Sequence, residues 1–142
     1  VTLIVDAAPI VALGDDRDPR HQAIRRVLQD EPGPLVIPAP VSAEIDYLVR
    51  RRGGAGPARA FLRDVSRGTF RVEGLTAEDH ALAAALDERY SDLALGLADL
   101  SVLILAERFS TRRVLTFDHR EFRAVTPLSG GNFTLLPHDE SG

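Results

Sequence analysis

The chain has 142 residues, 44% of them hydrophobic, enough to close one core and too few to require a second domain. Its formal net charge of -4 excludes a nucleic-acid binder that works by bulk positive charge, so any contact with phosphate has to be local. With Cys 0, disulfides and thiolate metal sites are excluded, and a bound metal would have to use oxygen or imidazole, which makes hard divalent ions the expected class.

No apolar run is long enough to span a bilayer, and the first residues lack the basic stretch and small-residue cleavage site of a signal peptide; the expectation is a cytoplasmic protein with no membrane contact. Every basic side chain is Arg, since the sequence contains no Lys. The guanidinium is the better fork for phosphate.

In chain order, Leu3-Ile4-Val5-Asp6 reads as a short buried strand that ends in a carboxylate. Ala7 to Leu13 can start a helix with Pro9 in its first turn, stopped by Gly14. Asp15 to Pro19 is a polar loop, and Ile24, Val27 and Leu28 give His21 to Gln29 a helical stripe. Leu35-Val36-Ile37 is a second strand, followed by a helix with Val41, Ile45, Leu48 and Val49 on its apolar side. Gly53 to Gly56 breaks it, and Pro57 opens a second helix with Phe61, Leu62 and Val65, completing a helical hairpin. Phe70-Arg71-Val72 is a third strand candidate. Thr76 with Asp79 resembles a capping box at the head of another helix. After a loop from Tyr90 to Gly96, the longest helix runs from about Leu97 to Phe109, and Val114 to Phe117 is a strand that delivers Asp118. Pro127 to Gly131 is a turn, Phe133 to Leu136 a last strand, and the tail over about 138–142 is expected to fray. Strands alternating with helices predict one α/β domain over 1–142, with a central, mostly parallel sheet flanked by helices.

Four acids sit where acids are expensive. Asp99 has Leu95, Val102, Leu103 and Ala106 at i−4, i+3, i+4 and i+7, which puts it on the apolar stripe of its helix. Glu44 repeats the pattern with Val41 and Leu48, whereas Asp46 turns toward Ser42 and Arg50. Asp6 and Asp118 each follow an apolar strand and, in a parallel sheet, emerge at the same edge. Four carboxylates meeting there would repel and raise one another's pKa unless cations neutralised them. One or two Mg²⁺ or Mn²⁺ ions fit that need, and such ions support phosphoryl displacement. The competing reading of each acid is a helix cap or an Arg partner. Asp92 is a possible fifth acid, with a capping role favoured.

Leu3-Ile4-Val5-Asp6, Pro40-Val41-Ser42-Ala43-Glu44, the segment around Leu97-Ala98-Asp99, and Leu115-Thr116-Phe117-Asp118-His119-Arg120-Glu121-Phe122 together resemble the four acidic motifs of PIN-domain ribonucleases. In size and order the chain is similar to the VapC toxins of VapBC toxin–antitoxin pairs. The resemblance implies a metal-dependent endoribonuclease with metal ligands at Asp6, Glu44, Asp99 and Asp118 and a supporting hydroxyl at Thr116. It also implies an RNA substrate, a VapB-type antitoxin partner and a homodimer. The sequence departs from the family at Ala7, where Thr or Ser is usual. The loss of that hydroxyl could weaken metal binding and lends weight to the alternative, a catalytically weak PIN-like module that binds a protein.

Among the basic residues, Arg120 and Arg123 follow Asp118 and are the favoured phosphate contacts. Arg50 to Arg52 read as helix-end dipole partners, and Arg112 and Arg113 feed the far end of their strand. His119 reads as a solvated loop residue that could touch substrate; His21 and His80 read as solvent-facing or structural. The absence of Lys disfavours phospho-receiver and aspartyl phosphotransferase sites, and no serine elbow, zinc motif or Gly-rich phosphate loop is present.

Overall fold

The computed structural model describes residues 1–139. Among these the chain runs β1 (Leu3–Val5), α1 (Ala7–Leu13), α2 (His21–Asp30), β2 (Leu35–Pro38), α3 (Ala39–Gly53), α4 (Ala55–Ser66), β3 (Arg71–Glu73), α5 (Ala77–Arg89), α6 (Leu97–Arg108), β4 (Arg113–Leu115), α7 (His119–Arg123) and β5 (Thr134–Leu136).

The strands form one sheet in the order β3-β2-β1-β4-β5, with every pairing parallel. Leu3, Ile4 and Val5 are all fully buried. Their side chains alternate between the two faces, so helices must cover the sheet on both sides. From β1 the chain moves outward through β2 and β3, then returns to lay β4 on the other flank of β1 (Ile4 opposite Val114, Val5 opposite Leu115). The direction of winding therefore reverses at β1, and a crevice opens at the carboxyl ends of β1 and β4.

Helix α6 closes that crevice from behind. Every residue from Leu100 to Ala106 is buried, which is how a helix apolar all round behaves when other elements enclose it. Helix α5 begins with the expected capping box, Thr76 Oγ1 accepting from Asp79 N at 3.1 Å and Asp79 returning the bond to Thr76 N at 2.9 Å.

The structure moves several expected boundaries. Helix α4 starts at Ala55 rather than Pro57, because Gly54 alone takes the break at φ 84°. The loop before α6 contains one turn of 3-10 helix, Ser91–Leu93. Strand β4 stops at Leu115, and Asp118 caps the short helix α7, which sequence reasoning did not anticipate. Phe61 is buried against Phe70 with ring centroids 6.1 Å apart, so of Phe61, Leu62 and Val65 only Leu62 stays exposed. Asp139 is not frayed: it accepts from Leu135 N at 2.6 Å and pairs with Arg123. Residues 140–142 lie outside the described residues.

Candidate active site

The site assembles at the carboxyl edge of the sheet from four elements. Asp6 leaves β1 and caps α1. Its Oδ1 accepts from Ala7 N at 2.9 Å, and its Oδ2 accepts from Thr116 Oγ1 at 2.8 Å. Thr116, fully buried after β4, accepts in turn from Asp118 N at 3.0 Å. Both oxygens of Asp6 thus have donors despite the missing hydroxyl at position 7. Asp118 lies at the surface and caps α7 through Glu121 N at 3.2 Å. Asp99, in the first turn of α6, accepts from Gly96 N at 3.4 Å.

Electrostatics show which carboxyls face one another. Burial pushes the Asp6 carboxyl up, opposed by its bonds from Thr116 and Ala7 and reinforced by the charges of Asp99 and Asp118. Desolvation raises Glu44 as well, with Asp6 and Asp99 adding repulsion. Glu44 faces the cluster from the rim, since its residue surface is exposed. Asp46 turns away and binds Arg50 Nε at 3.0 Å, as its position on the helix predicts.

A fifth acid joins them that sequence reasoning missed. Glu121, on α7, is pushed up to about 8, first by burial, then by the neighbouring Asp99 carboxylate, and further by the charges of Asp118 and Asp6. Its Oε2 is buried and has no hydrogen-bond partner among the described residues. The signal was present in the sequence: Asp118 followed three residues later by Glu121 is a helix-start pattern that places the glutamate in the first turn. Asp92, the fifth acid considered from sequence, is exposed in the 3-10 turn and makes no capping bond there.

The carboxyls converge without forming a finished cage. Among the described residues, no three acids or histidines stand as a ready metal-ligand set, since Asp6, Asp99 and Asp118 each turn an oxygen toward a backbone N–H.

The basic residues are distributed differently from expectation. Arg123 donates to Phe133 O at 3.0 Å and pairs with Asp139, so it secures the chain end and is not turned to substrate. Arg120 is exposed on α7. Arg113 pairs with Glu31 at 2.5 Å, at the amino end of the sheet. Arg20, from the loop before α2, stacks on Phe117 at 4.0 Å, next to Asp118. His119 is no solvated loop residue; it packs on His138 with ring centroids 4.1 Å apart. His21 and His80 make structural bonds, to Ala12 O at 3.1 Å and Thr76 O at 2.7 Å.

A doubly covered parallel sheet with carboxylates gathered at its switch point defines an acidic centre of the α/β hydrolytic kind. Comparison with known proteins gives this class its family. The PIN domain family model matches residues 3–126. Ribonuclease VapC26 of Mycobacterium tuberculosis (strain ATCC 25618 / H37Rv) is 35% identical over 135 residues, covering 95% of this chain and all of that protein. The crystal structure of Mycobacterium tuberculosis VapC20, described as a sarcin-ricin loop cleaving toxin, superposes with a TM-score of 0.79 at 24% identity, over 86% of this chain and 94% of that one. The chain belongs to the PIN domain family, among its VapC-type members.

Proposed function

We infer that this PIN domain is an endoribonuclease of the VapC kind, the toxin of a toxin–antitoxin pair, and that it works with a divalent metal ion. The observation that carries the metal reading is the meeting of Asp6, Glu44, Asp99, Asp118 and Glu121 at one sheet edge, where burial and neighbouring carboxylates push Asp6, Glu44 and Glu121 up and Glu121 Oε2 lacks any partner among the described residues. Oxygen donors converging on one edge in this way suit Mg²⁺ or Mn²⁺ once their side chains turn onto the ion. Asp6, Glu44, Asp99 and Asp118 would hold the ion, with Thr116 fixing Asp6. When bound, such an ion supplies Lewis acidity to the phosphodiester and acidifies water. The chain itself orients Asp6 through Thr116 and Ala7, presents Glu44 at the exposed rim, and keeps the Glu121 carboxyl raised beside Asp99.

Kinship with the ribonuclease relative supports RNA as substrate and a VapB-type antitoxin as partner. A homodimer and a cytoplasmic location belong to the same proposal; among the described residues, no helix is long and apolar enough to cross a membrane.

RNA incubated with the protein and Mg²⁺ or Mn²⁺ is expected to be cut, and not to be cut with chelator. Asp6→Asn and Asp99→Asn should abolish cutting while circular dichroism stays unchanged. Cleavage that survives both variants would overturn the assignment. Partner binding with no cleavage at any metal concentration would establish the protein-binding module favoured by Ala7.

A further inference from the structure

One face of α3 continues outward from Glu44. At i+3, i+4, i+7 and i+8 from that acid stand Tyr47, Leu48, Arg51 and Arg52, about 12 Å of helix leading away from the carboxylates. Leu48, Arg51 and Arg52 line a groove of 420 Å³ whose opposite wall is Ala8 and Val11 of α1 and Arg20. Both walls start at the site, because Ala8 follows Asp6 by two residues and the Arg20 guanidinium rests on Phe117 beside Asp118.

The groove's chemistry is that of a single-strand binder. Tyr47 stands outside the lining, against Arg51 at the groove's edge; it is 60% exposed and is the one large aromatic among the described residues left open to this degree. Arg51 lies near its ring, with Nη1 donating to the Tyr47 hydroxyl at 3.4 Å, and has no carboxylate partner among the described residues. Arg20 and Arg52 are both anchored on Asp18, at 3.3 and 3.1 Å, and the hydrogen bond from Arg20 leads in holding that carboxyl down at about 2. Anchoring fixes the two guanidiniums but uses only part of their five donors each. An exposed aromatic for a base, fixed guanidiniums for phosphates and an aliphatic floor are the elements of sequence-tolerant single-strand recognition.

We propose that this groove, lined by Arg51, Arg20 and Arg52 as phosphate contacts and flanked at the Arg51 edge by Tyr47 as a base platform, holds single-stranded RNA on one side of the bond that is cut. The proposal rests on the ribonuclease reading above and assigns to Arg51 and Arg52 the role that sequence position suggested for Arg123. An acidic protein segment is the competing occupant. Continuity with the carboxylates favours the substrate, since a strand whose phosphate lies at Asp6 and Asp118 has to leave along a wall, and this one carries positive charge.

The test is steady-state cleavage of a fluorescently labelled single-stranded RNA in Mn²⁺ across a salt series. Arg51→Ala should raise KM about tenfold with kcat nearly unchanged, and should lower the salt slope of log kcat/KM by about 0.7, the contribution of one phosphate contact on a single strand. Arg51→Lys should keep the slope. Tyr47→Ala should raise KM about tenfold without changing the slope, and Tyr47→Phe should restore it. Arg67→Ala, at the end of α4, serves as control. The same sequence in a duplex should be cut at least about tenfold more slowly. Unchanged KM and slope in the Arg51 and Tyr47 variants, or equal cutting of duplex, would overturn the groove assignment while wild-type cleavage upheld the nuclease. Variants that cut normally but lose a protein partner would give the groove to that partner and overturn it likewise. A wild-type protein that cuts no RNA would remove both readings together.

Discussion

Thr116 Oγ1 donates to Asp6 Oδ2 at 2.8 Å and accepts from Asp118 N at 3.0 Å. A single buried hydroxyl therefore ties the carboxyl end of β1 to that of β4 and sets the spacing of the two acids that leave them. Thr116→Val keeps the shape but leaves Asp6 Oδ2 and the Asp118 amide without this partner. We expect a stability loss of about 1–3 kcal/mol in urea unfolding and a fall in cleavage of about 10- to 100-fold. Thr116→Ser should recover most of both. A valine variant with full activity would show that the tie does not position Asp6.

The metal-free protein should lose stability as pH rises. Glu121 ordinarily titrates at 4.5 and is pushed up to about 8 here, so the folded chain keeps a proton that the unfolded chain has released. This group's contribution is complete below about pH 4.5 and is lost as pH rises toward about 8. Asp6 and Glu44 shift in the same direction. Asp18, Asp79 and Asp139 shift downward, and their contribution is lost as pH falls below the ordinary carboxylate range. In chelator, Tm should therefore peak at about pH 4 to 4.5, between the ordinary values of these two sets of carboxyls, and fall by several degrees toward pH 8.5. Because Glu121 is partly open to solvent, its share should be about 1–2 kcal/mol at most. Glu121→Gln should flatten the alkaline limb, and Mn²⁺ at pH 8 should restore Tm in the wild type. A flat profile in chelator would mean that the carboxyls do not repel.

Arg123→Ala is expected to act on stability and not on substrate. The side chain donates to Phe133 O and pairs with Asp139, which in turn accepts from Leu135 N. Its removal should cost about 1 kcal/mol and leave KM for RNA within twofold. A large rise in KM with unchanged stability would restore Arg123 as a phosphate contact.

Leu105→Ala should be among the costlier single truncations. Leu105 is fully buried on α6, the helix that packs against β1, β2 and β4 and carries Asp99. The expected loss is about 2–5 kcal/mol by chemical unfolding. A loss below about 1 kcal/mol would mean that the helix repacks freely and cannot hold Asp99 rigidly.

Most of this architecture was legible because local signals agreed with the global fold. The run Leu3 to Val5 could only be a central strand, and the stripe around Asp99 identified α6 and the odd placement of its acid together. The acids at 6, 44, 99 and 118 were legible because each interrupts an apolar pattern. Glu121 breaks no such pattern: its neighbours Arg120 and Arg123 make it look like an ordinary surface residue, and only the turn of α7 brings it to Asp99. Arg123 was misjudged for a related reason, since proximity to Asp118 in sequence says nothing of Asp139, which returns beside it through β5. The Arg20 stack on Phe117 joins residues almost a hundred positions apart and left no local trace.

The strand order carries a consequence for how the protein is made. A ribosome releasing this chain from its amino end frees Asp6, Glu44 and Asp99 well before β4, yet Asp6 N bonds to Leu115 O and its carboxylate waits for Thr116. Until that segment slots in beside the first strand, the growing polypeptide holds scattered acids and no assembled centre, so the activity waits on the synthesis of Leu115 and Thr116.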